Sequence, residues 1–237
     1  MAGLKNKVVL ITGGSKGIGY GVAEALVTEG AKVAITSRRQ KAADEAAEKL
    51  NKLGKGEAHG LEADVRDADA QQKAVDAVIE KWGSLDVLVA NAGLGYFGNI
   101  ETLTTEQWKE TIDTNLSGVF YSIKASLPAL KKSKGYVITI ASLAGTNFFA
   151  GGSAYNASKF GLVGFTQAAM LDLRSYGIKV TTIMPGSVAT EFNGGHPNPN
   201  DSWKIQPEDI GQIVIDLLKM HPRTLPSKIE VRPSIPK

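Results

Sequence analysis

The chain has 237 residues, 43% of them hydrophobic, and no Cys, which fits one ordered α/β domain and excludes a disordered or disulfide-built protein. Its 27 Lys and Arg against 24 Asp and Glu give a net charge of +3, too small to indicate a nucleic-acid or membrane surface. Three scattered His leave little material for a metal site, so we expect none.

The start of the chain bears on its location in the cell. The residues before Val8 are polar, and a strand pattern begins there, which leaves no room for the apolar stretch of a secretory signal. No apolar run approaches the length of about 18 residues that crosses a membrane. We therefore expect a cytoplasmic protein with no membrane partner.

Short β-branched runs alternate with longer helical patterns along most of the chain. Strands are predicted at residues 8–11, 33–36, 60–63, 87–90, 137–141, 180–184 and 228–231. These runs are nearly all apolar, which is typical of strands buried on both faces. Helices are predicted at residues 18–29, 41–53, 68–82, 105–131, 154–175 and 207–219. The alternation predicts an α/β fold, a Rossmann-type doubly wound parallel seven-stranded sheet with helices on both faces.

No linker or repeat divides residues 1–237, so we expect a single domain. One segment, residues 190–206, breaks the rhythm, because it is rich in Gly, Pro, Asn and Asp and has little periodicity. It follows the strand at 180–184, at the carboxyl edge where ligands bind in such sheets. We predict a mobile substrate lid there, with an ordinary surface loop as the alternative.

A glycine-rich turn, TGGSKGIG at residues 12–19, joins the first strand to the first helix. Glycines let the backbone come close to a pyrophosphate, and the helix that follows offers it free N–H groups. The strand before and the helix after make this a prediction of a dinucleotide site.

The end of the second strand indicates which dinucleotide is bound. Ser37 and Arg38 stand where an NAD-binding protein usually places an acidic residue for the adenosine ribose. Arg38 can form a two-pronged contact with a 2′-phosphate, and Lys16 is a second cation within reach. The pattern predicts NADP(H), and solvated surface cations are the alternative.

Tyr155 and Lys159 are one helical turn apart, so their side chains share a helix face. One ammonium at about 4 Å, at an effective dielectric constant of about 20, supplies about 4 kcal/mol. That is enough to lower the pKa of a phenol by about 2–3 units. Ser142, after the fifth strand, could hold a carbonyl oxygen. Asn115 lies inside the predicted helix 105–131, and we expect its amide to hold a water that links Lys159 to solvent.

These motifs together resemble the short-chain dehydrogenase/reductase family along nearly the whole chain. The matching residues, in chain order, are TGGSKGIG at 12–19, Asp64-Val65, ANAG at 90–93, Asn115, Ser142, Tyr155, Lys159 and PGSVAT at 185–190. Such a set in one order is highly specific. The resemblance is to the branch of NADP-preferring carbonyl reductases and 3-oxoacyl-[acyl-carrier-protein] reductases.

The resemblance implies roles for these residues. The catalytic residues would be Asn115, Ser142, Tyr155 and Lys159. The residues that bind NADP(H) would be Gly13, Ser15, Lys16, Gly17, Ile18, Gly19, Ser37, Arg38, Asp64, Val65, Asn91, Ala92, Gly93, Tyr155, Lys159, Pro185, Gly186, Val188 and Thr190. Asp64 would bond the adenine amine, and Thr190 the nicotinamide.

The predicted activity is NADPH-dependent reduction of a ketone or aldehyde, with Tyr155 as the general acid. The candidate pocket wall carries no cluster of cations, which favours a neutral, partly hydrophobic substrate, although several of its members could instead pack the fold. Its residues are Leu94, Phe97, Thr146, Phe148, Phe149, Phe192 and Trp203.

Two other functions stay open. A 3-oxoacyl-[acyl-carrier-protein] reductase shares every motif, but such enzymes usually end with a glycine pair where this chain has SKIEVRPS at 227–234. That ending is more similar to NADP-dependent hydroxyacid and aldehyde dehydrogenases. A coenzyme-sensing regulator without activity typically loses the tyrosine or the lysine, and this chain keeps both.

The helices predicted at 105–131 and 154–175 are apolar on more of their surface than packing on one sheet requires. Residues that carry this excess are Phe160, Leu162, Val163, Phe165, Ala168, Ala169 and Leu171. The family commonly joins these helices between subunits, so we expect a homodimer or homotetramer. Deeper burial within one subunit is the alternative.

Overall fold

A computed structural model of the chain describes residues 3–195 and 198–235. Seven parallel strands form one sheet in the order β3-β2-β1-β4-β5-β6-β7. The strands are β1 Val8–Thr12, β2 Lys32–Ser37, β3 Glu57–Glu62, β4 Val87–Ala90, β5 Tyr136–Ile140, β6 Lys179–Pro185 and β7 Lys228–Val231. The predicted doubly wound sheet is confirmed.

Helices cover both faces of the sheet. They are α1 Gly17–Thr28, α2 Gln40–Asn51, α3 Ala68–Trp82, α4 Thr105–Ile112, α5 Gly118–Ser133, α6 Ser153–Leu173 and α7 Pro207–Lys219. Side chains of α1, α2 and α7 share one apolar cluster with Val9 and Ile11, whereas those of α3, α5 and α6 share the other with Val8 and Leu10. Because successive side chains of a strand point to opposite faces, β1 contributes to both layers of the core.

The two edge strands differ from the expectation of uniformly apolar runs. β3 begins at Glu57, three residues before the predicted start, and its buried residues alternate with partly exposed ones. β7 alternates too, but between exposed and partly buried residues. An edge strand has a neighbour on one side only, and here one face of each edge strand also stays partly open to solvent, so a period of two replaces the continuous apolar run.

The helix predicted at 105–131 is not continuous. α4 ends at Ile112, a π-helical turn occupies Asp113–Ser117, and α5 follows. A π-turn accommodates one extra residue in a helix and often occurs at functional sites. Asn115 lies in this turn.

The predicted lid contains two short 3₁₀ turns, Phe192–Gly194 and Pro199–Trp203, and Ile205 pairs with Val188. Residues 196 and 197, which belong to the predicted lid, lie outside the described part of the chain. Its mobility stays a prediction. In the two described ranges, we find no helix with both the length and the apolar character that a membrane span requires.

Candidate active site

A cleft of about 1550 Å³ opens at the carboxyl ends of the strands. It lies at the carboxyl end of β1, which has β2 on one side and β4 on the other. The strand order reverses at this point, and such sheets bind ligands there. All the predicted coenzyme residues line it except Gly19, and Ser142 also lines it, whereas Asn115 does not. An added Cβ at Gly19 would lie 2.5 Å from Asn91 Nδ2, so that glycine serves close packing behind the loop.

The glycine loop has the shape that a pyrophosphate requires. Gly13 has φ +65°, and an added Cβ would approach Ala92 Cα to 2.9 Å, so only glycine fits. Asn91 Nδ2 donates to the carbonyl oxygens of Thr12 and Gly13, at 3.0 Å each, and so fixes the loop to the end of β4. No side chain caps the start of α1, which leaves its first N–H groups free to bind an anion. The loop therefore fits a dinucleotide.

Both cations predicted to bind a 2′-phosphate are paired with carboxylates. Lys16 Nζ lies 3.1 Å from Glu191 Oε2, and Arg38 Nη1 lies 3.8 Å from Glu110 Oε1. The side chains of Lys16 and Arg38 are each 65% exposed, so both can swing into the cleft. The glutamates are far from their partners in sequence, and no local motif predicted either pair.

Asp64, predicted to bond the adenine amine, is bound by Arg66. Arg66 donates to Asp64 through Nη2 at 2.6 Å and through Nε at 3.1 Å, and this contact keeps the pKa of Asp64 below its ordinary value. Arg66 Nη1 also donates to Glu110 at 3.0 Å. The Tyr96 hydroxyl donates to the other oxygen of Glu110 at 2.7 Å. Sequence reasoning missed Arg66, Tyr96 and Glu110. The signal available in the sequence was the position of Arg66 two residues after Asp64, which allows an ion pair between the two.

Ser142, Tyr155 and Lys159 meet on the wall of the cleft beside β5 and β6. Ser142 follows β5, its Oγ accepts from Ala144 N at 3.1 Å, and it lies 3.4 Å from Pro185 O. Lys159 is buried and donates to Ile140 O at 3.1 Å, with its Nζ 5.7 Å from the centre of the Tyr155 ring. The three side chains come from a strand end and one helix face, which fixes their relative positions.

The expectation that Lys159 lowers the pKa of Tyr155 is wrong for this structure. Burial raises the pKa of Tyr155 above its ordinary value, although the neighbouring Ser142 hydroxyl acts in the opposite direction. Burial also lowers the pKa of Lys159 to about 8, so its ammonium is still mostly protonated at neutral pH but loses its charge at a lower pH than an ordinary lysine. Tyr155 therefore keeps its proton at neutral pH.

Asn115 uses its whole amide on protein groups. Its Oδ1 accepts from Leu94 N at 2.9 Å, and its Nδ2 donates to Leu94 O at 2.7 Å and to Ser158 Oγ at 2.9 Å. The amide thus ties the loop after β4 to the helix that carries Tyr155. The expected water link to Lys159 stays a prediction.

Sequence reasoning also missed Asn156, next to the tyrosine. Its buried amide donates to the carbonyl oxygens of Ala144 and Asn147, at 2.7 and 2.8 Å, and accepts from Phe149 N at 3.3 Å. It therefore holds the loop at 144–149, which follows Ser142. The signal available in the sequence was a polar amide directly beside Tyr155 in the first turns of its helix.

Aromatic rings surround the ring of Tyr155. The ring centres of Phe97 and Phe192 lie 5.3 and 5.8 Å from that of Tyr155, and Phe149 lies 5.8 Å from Phe97. Buried Gly95 lies beneath these rings, where an added Cβ would come within 3.0 Å of both Phe97 and Tyr155. Of the predicted wall, Leu94, Phe97 and Phe192 line the cleft, whereas Thr146, Phe148, Phe149 and Trp203 do not.

The chain is similar to known proteins in sequence and in fold. Residues 7–200 match the family described as short chain dehydrogenase. A trans-4-hydroxycyclohexanecarboxylate dehydrogenase of Sinomonas cyclohexanicum is 38% identical over 194 residues, which cover 80% of this chain and 75% of that protein.

Solved structures give the same result. An alcohol dehydrogenase of Thermococcus sibiricus, complexed with 5-hydroxy-NADP, superposes with a TM-score of 0.92 at 29% identity and covers 98% of this chain and 99% of its own. A metagenomic short-chain oxidoreductase in complex with NADP has a TM-score of 0.86 at 33% identity, with coverage of 99% and 100%. A 3-ketoacyl-(acyl-carrier-protein) reductase of Brucella melitensis, complexed with NADH, has a TM-score of 0.88 at 26% identity, with coverage of 98% of each chain.

Proposed function

The chain belongs to the short-chain dehydrogenase family, whose members bind NAD(P), and from this premise we propose that it is an NADPH-dependent reductase of apolar ketones and aldehydes. The observation that carries the proposal is the meeting of Ser142, Tyr155 and Lys159 on one wall of the dinucleotide cleft. The same chemistry run in reverse would oxidise a secondary alcohol.

The protein supplies the proton of the reaction. The coenzyme, when bound, provides the hydride that forms the new C–H bond at the carbonyl carbon. Ser142 Oγ and the Tyr155 hydroxyl hold the carbonyl oxygen, and Tyr155 gives that oxygen its proton. The raised pKa of Tyr155 supports the role of proton donor, since the phenol is protonated before the reaction begins.

Lys159 and Asn115 support this step in different ways. A lysine whose pKa burial lowers to about 8 can return a proton to the phenolate near neutral pH and can bond the ribose hydroxyls of a bound coenzyme. Asn115 acts as a positioning residue, because its hydrogen bonds join the backbone at Leu94 to the helix turn of Tyr155 through Ser158.

The preference for NADP(H) rests on charge at the adenosine end. Lys16, Arg38 and Arg66 all line the cleft there, and no carboxylate follows β2 at Ser37. A 2′-phosphate is recognised by such cations through charge-assisted hydrogen bonds. Crystal structures of two relatives with NADP or its 5-hydroxy derivative support the proposal.

The substrate class rests on the aromatic surroundings of Tyr155. Phe97 and Phe192 present apolar surface to the cleft, and Lys204, a lysine of the proposed lid that also lines the cleft, is paired with Asp201 at 2.7 Å. A neutral, partly hydrophobic carbonyl compound fits this wall better than an anion. The likeness to a 3-ketoacyl-(acyl-carrier-protein) reductase keeps an acyl thioester as the second candidate.

One assay tests these proposals together. NADPH oxidation is measured with an alicyclic ketone, an aryl aldehyde, a 2-oxo acid and an acetoacetyl thioester, and each is repeated with NADH. We expect turnover of the neutral ketone or aldehyde with NADPH. Turnover of the thioester alone would favour the second candidate, and no turnover of any substrate would contradict the reductase.

Assembly, the lid and location complete the proposal. Trp108, Phe120 and Phe160, on α4, α5 and α6, are each more than 40% exposed, and we propose that a second copy of the chain covers them. Leu162 and Ala169, in contrast, are buried within the subunit. Light scattering that gives 25.1 kDa, the mass of one chain, would contradict the oligomer.

We propose that residues 190–206 act as the lid and that the enzyme works in the cytoplasm, where NADPH is available.

A further inference from the structure

We propose that Glu110 determines coenzyme specificity by competing with the 2′-phosphate for Arg38 and Arg66, and so limits the preference for NADP(H) over NAD(H). The inference rests on the proposed NADP(H) function. It concerns a residue that does not line the cleft but lies behind two arginines that do.

Glu110 is the common partner of both arginines. Its Oε1 accepts from Arg66 Nη1 at 3.0 Å and lies 3.8 Å from Arg38 Nη1. The Glu110 side chain is 27% exposed, whereas that of Arg38 is 65% exposed. The mobile arginine is therefore attracted toward a more fixed carboxylate.

The position of Glu110 is well determined. Its second oxygen accepts the Tyr96 hydroxyl at 2.7 Å, and the carboxylate raises the pKa of that phenol. Its helix, α4, is fixed at its start by a reciprocal pair of hydrogen bonds between Thr104 and Gln107. Glu110 cannot withdraw without losing these contacts.

Charge counting shows what this carboxylate does to a phosphate. Arg38 and Arg66 carry two positive charges, which Asp64 and Glu110 balance. A phosphate monoester brings a charge of about −1.5 to −2 at neutral pH. It therefore meets two arginines whose charges are already balanced, with Lys16 and Arg39 as further cations that line the cleft, and it must draw Arg38 away from Glu110. NADH brings no such group, so its binding does not require this exchange.

Neutralising Glu110 tests the competition directly. In Glu110→Gln the amide oxygen still accepts one hydrogen bond, but the cluster gains one net positive charge. Titration calorimetry with 2′,5′-ADP and with 5′-AMP isolates the adenosine end, without any catalytic turnover. We expect 2′,5′-ADP to bind about three- to five-fold tighter, because exposed ion pairs have modest strength, and 5′-AMP to change less than about two-fold.

Two further variants sharpen the result. Glu106→Gln removes the same charge one turn earlier on α4, from a side chain exposed to solvent, and should leave the ratio of the two affinities unchanged. Arg38→Gln should weaken 2′,5′-ADP, and in the double variant the gain from Glu110→Gln should be smaller, because Arg66 is then the arginine left to be released. Thermal melting checks that each variant is folded, and Glu110→Ala repeats the test if the amide variant does not fold.

The outcomes separate the inference from the coenzyme proposal. If Arg38→Gln weakens 2′,5′-ADP while Glu110→Gln changes nothing, the role of Glu110 is wrong and NADP(H) recognition stands. If Glu110→Gln weakens both ligands equally, the residue only supports the contact of Arg66 with Asp64, and the competition is wrong. If Arg38→Gln leaves the affinity for 2′,5′-ADP unchanged, the proposed preference for NADP(H) is wrong, and the role of Glu110 is wrong with it.

Discussion

Lys16 and Glu191 form an ion pair of 3.1 Å between the glycine loop and the first residues after Thr190. Both side chains line the cleft and are more than half exposed. The contact therefore joins the coenzyme loop to the predicted lid, and Phe192, the next residue, carries this connection to the ring of Tyr155.

The first prediction concerns this pair. Glu191→Gln should release Lys16 for the coenzyme phosphate and tighten NADPH binding about two- to three-fold, as expected for an exposed ion pair. Fluorescence titration at low and high salt measures the effect, which should shrink with added salt. Glu208→Gln, at an exposed position on α7, is the matched control. Weaker NADPH binding in Glu191→Gln would mean that the pair helps to form the site.

The second prediction concerns the proton donor. Tyr155→Phe should lower kcat about 10²- to 10⁴-fold, the usual contribution of a positioned general acid, and leave the Kd for NADPH within about two-fold. Stopped-flow kinetics and fluorescence titration measure the two quantities separately. Tyr176→Phe, on the surface, should change neither. Wild-type turnover in Tyr155→Phe would show that another group supplies the proton.

The third prediction concerns coenzyme choice. Arg38→Asp removes a charge-assisted hydrogen bond worth about 1.5–3 kcal/mol and adds a carboxylate near Glu110. NADPH should bind about 10- to 100-fold more weakly, while NADH should bind as well as before or better. The ratio of kcat/KM for the two coenzymes reports the change. An unaltered ratio would remove Arg38 from the phosphate site.

The fourth prediction concerns the cost of burying Lys159. Its pKa of about 8 in the folded protein lies below 10.5, so the unfolded chain holds more protons between these pH values. The resulting penalty is complete below pH 8 and disappears above 10.5. At pH 7 a pKa shift of this size lowers the free energy of unfolding by about 3 kcal/mol. Lys159→Met would remove this penalty but would also lose the hydrogen bond to Ile140, which contributes about 1 kcal/mol.

Lys159→Met should therefore be inactive yet more stable at pH 7 than the coenzyme-free parent, by about 2 kcal/mol, which raises Tm by several degrees. The difference should shrink as the pH rises through 8 to 10.5. Calorimetric melting at a series of pH values measures it, with exposed Lys124→Met as the control. A gain that is independent of pH would show that the charge is not the cause.

The fifth prediction concerns Asn156, whose three hydrogen bonds hold the loop at 144–149. Asn156→Ala leaves buried backbone groups unpaired, which costs about 1–3 kcal/mol of stability. KM for the ketone should rise while the Kd for NADPH stays constant, because the loop follows Ser142 and its Phe149 ring lies 5.8 Å from Phe97, which lines the cleft. Asn147→Ala, at an exposed site on the same loop, is the comparison. Equal effects of the two variants would indicate a role in stability alone.

Local patterns were sufficient for most of the fold. β1, β2, β4, β5 and β6 are apolar runs, and their burial on both faces follows from composition alone. The start of β3 was predicted three residues too late, because polar residues such as His59 lie on the partly open face of this edge strand. On that face a strand does not need an apolar run.

The sequence predicted those candidate site residues that belong to short contiguous motifs. Gly13, Tyr155 and Lys159 belong to short motifs, whereas the carboxylates that pair with Lys16 and Arg66 are distant in the chain. Glu191 is 175 residues from Lys16, and Glu110 is 44 from Arg66. The pKa of Tyr155 also depends on how deeply the helix packs, a quantity that spacing cannot supply.

The π-turn at Asp113–Ser117 sets the rotation of α5 about the helix axis relative to α4. One additional residue corresponds to a rotation of about 100° about the axis. It lets α4 aim Glu110 at the adenosine end while Asn115 faces inward beneath Leu94. Deleting a single residue here would restore regular α-helical geometry and turn one of these two side chains away, so the π-turn allows one helical segment to contact both Arg66, through Glu110, and the backbone of Leu94, through Asn115.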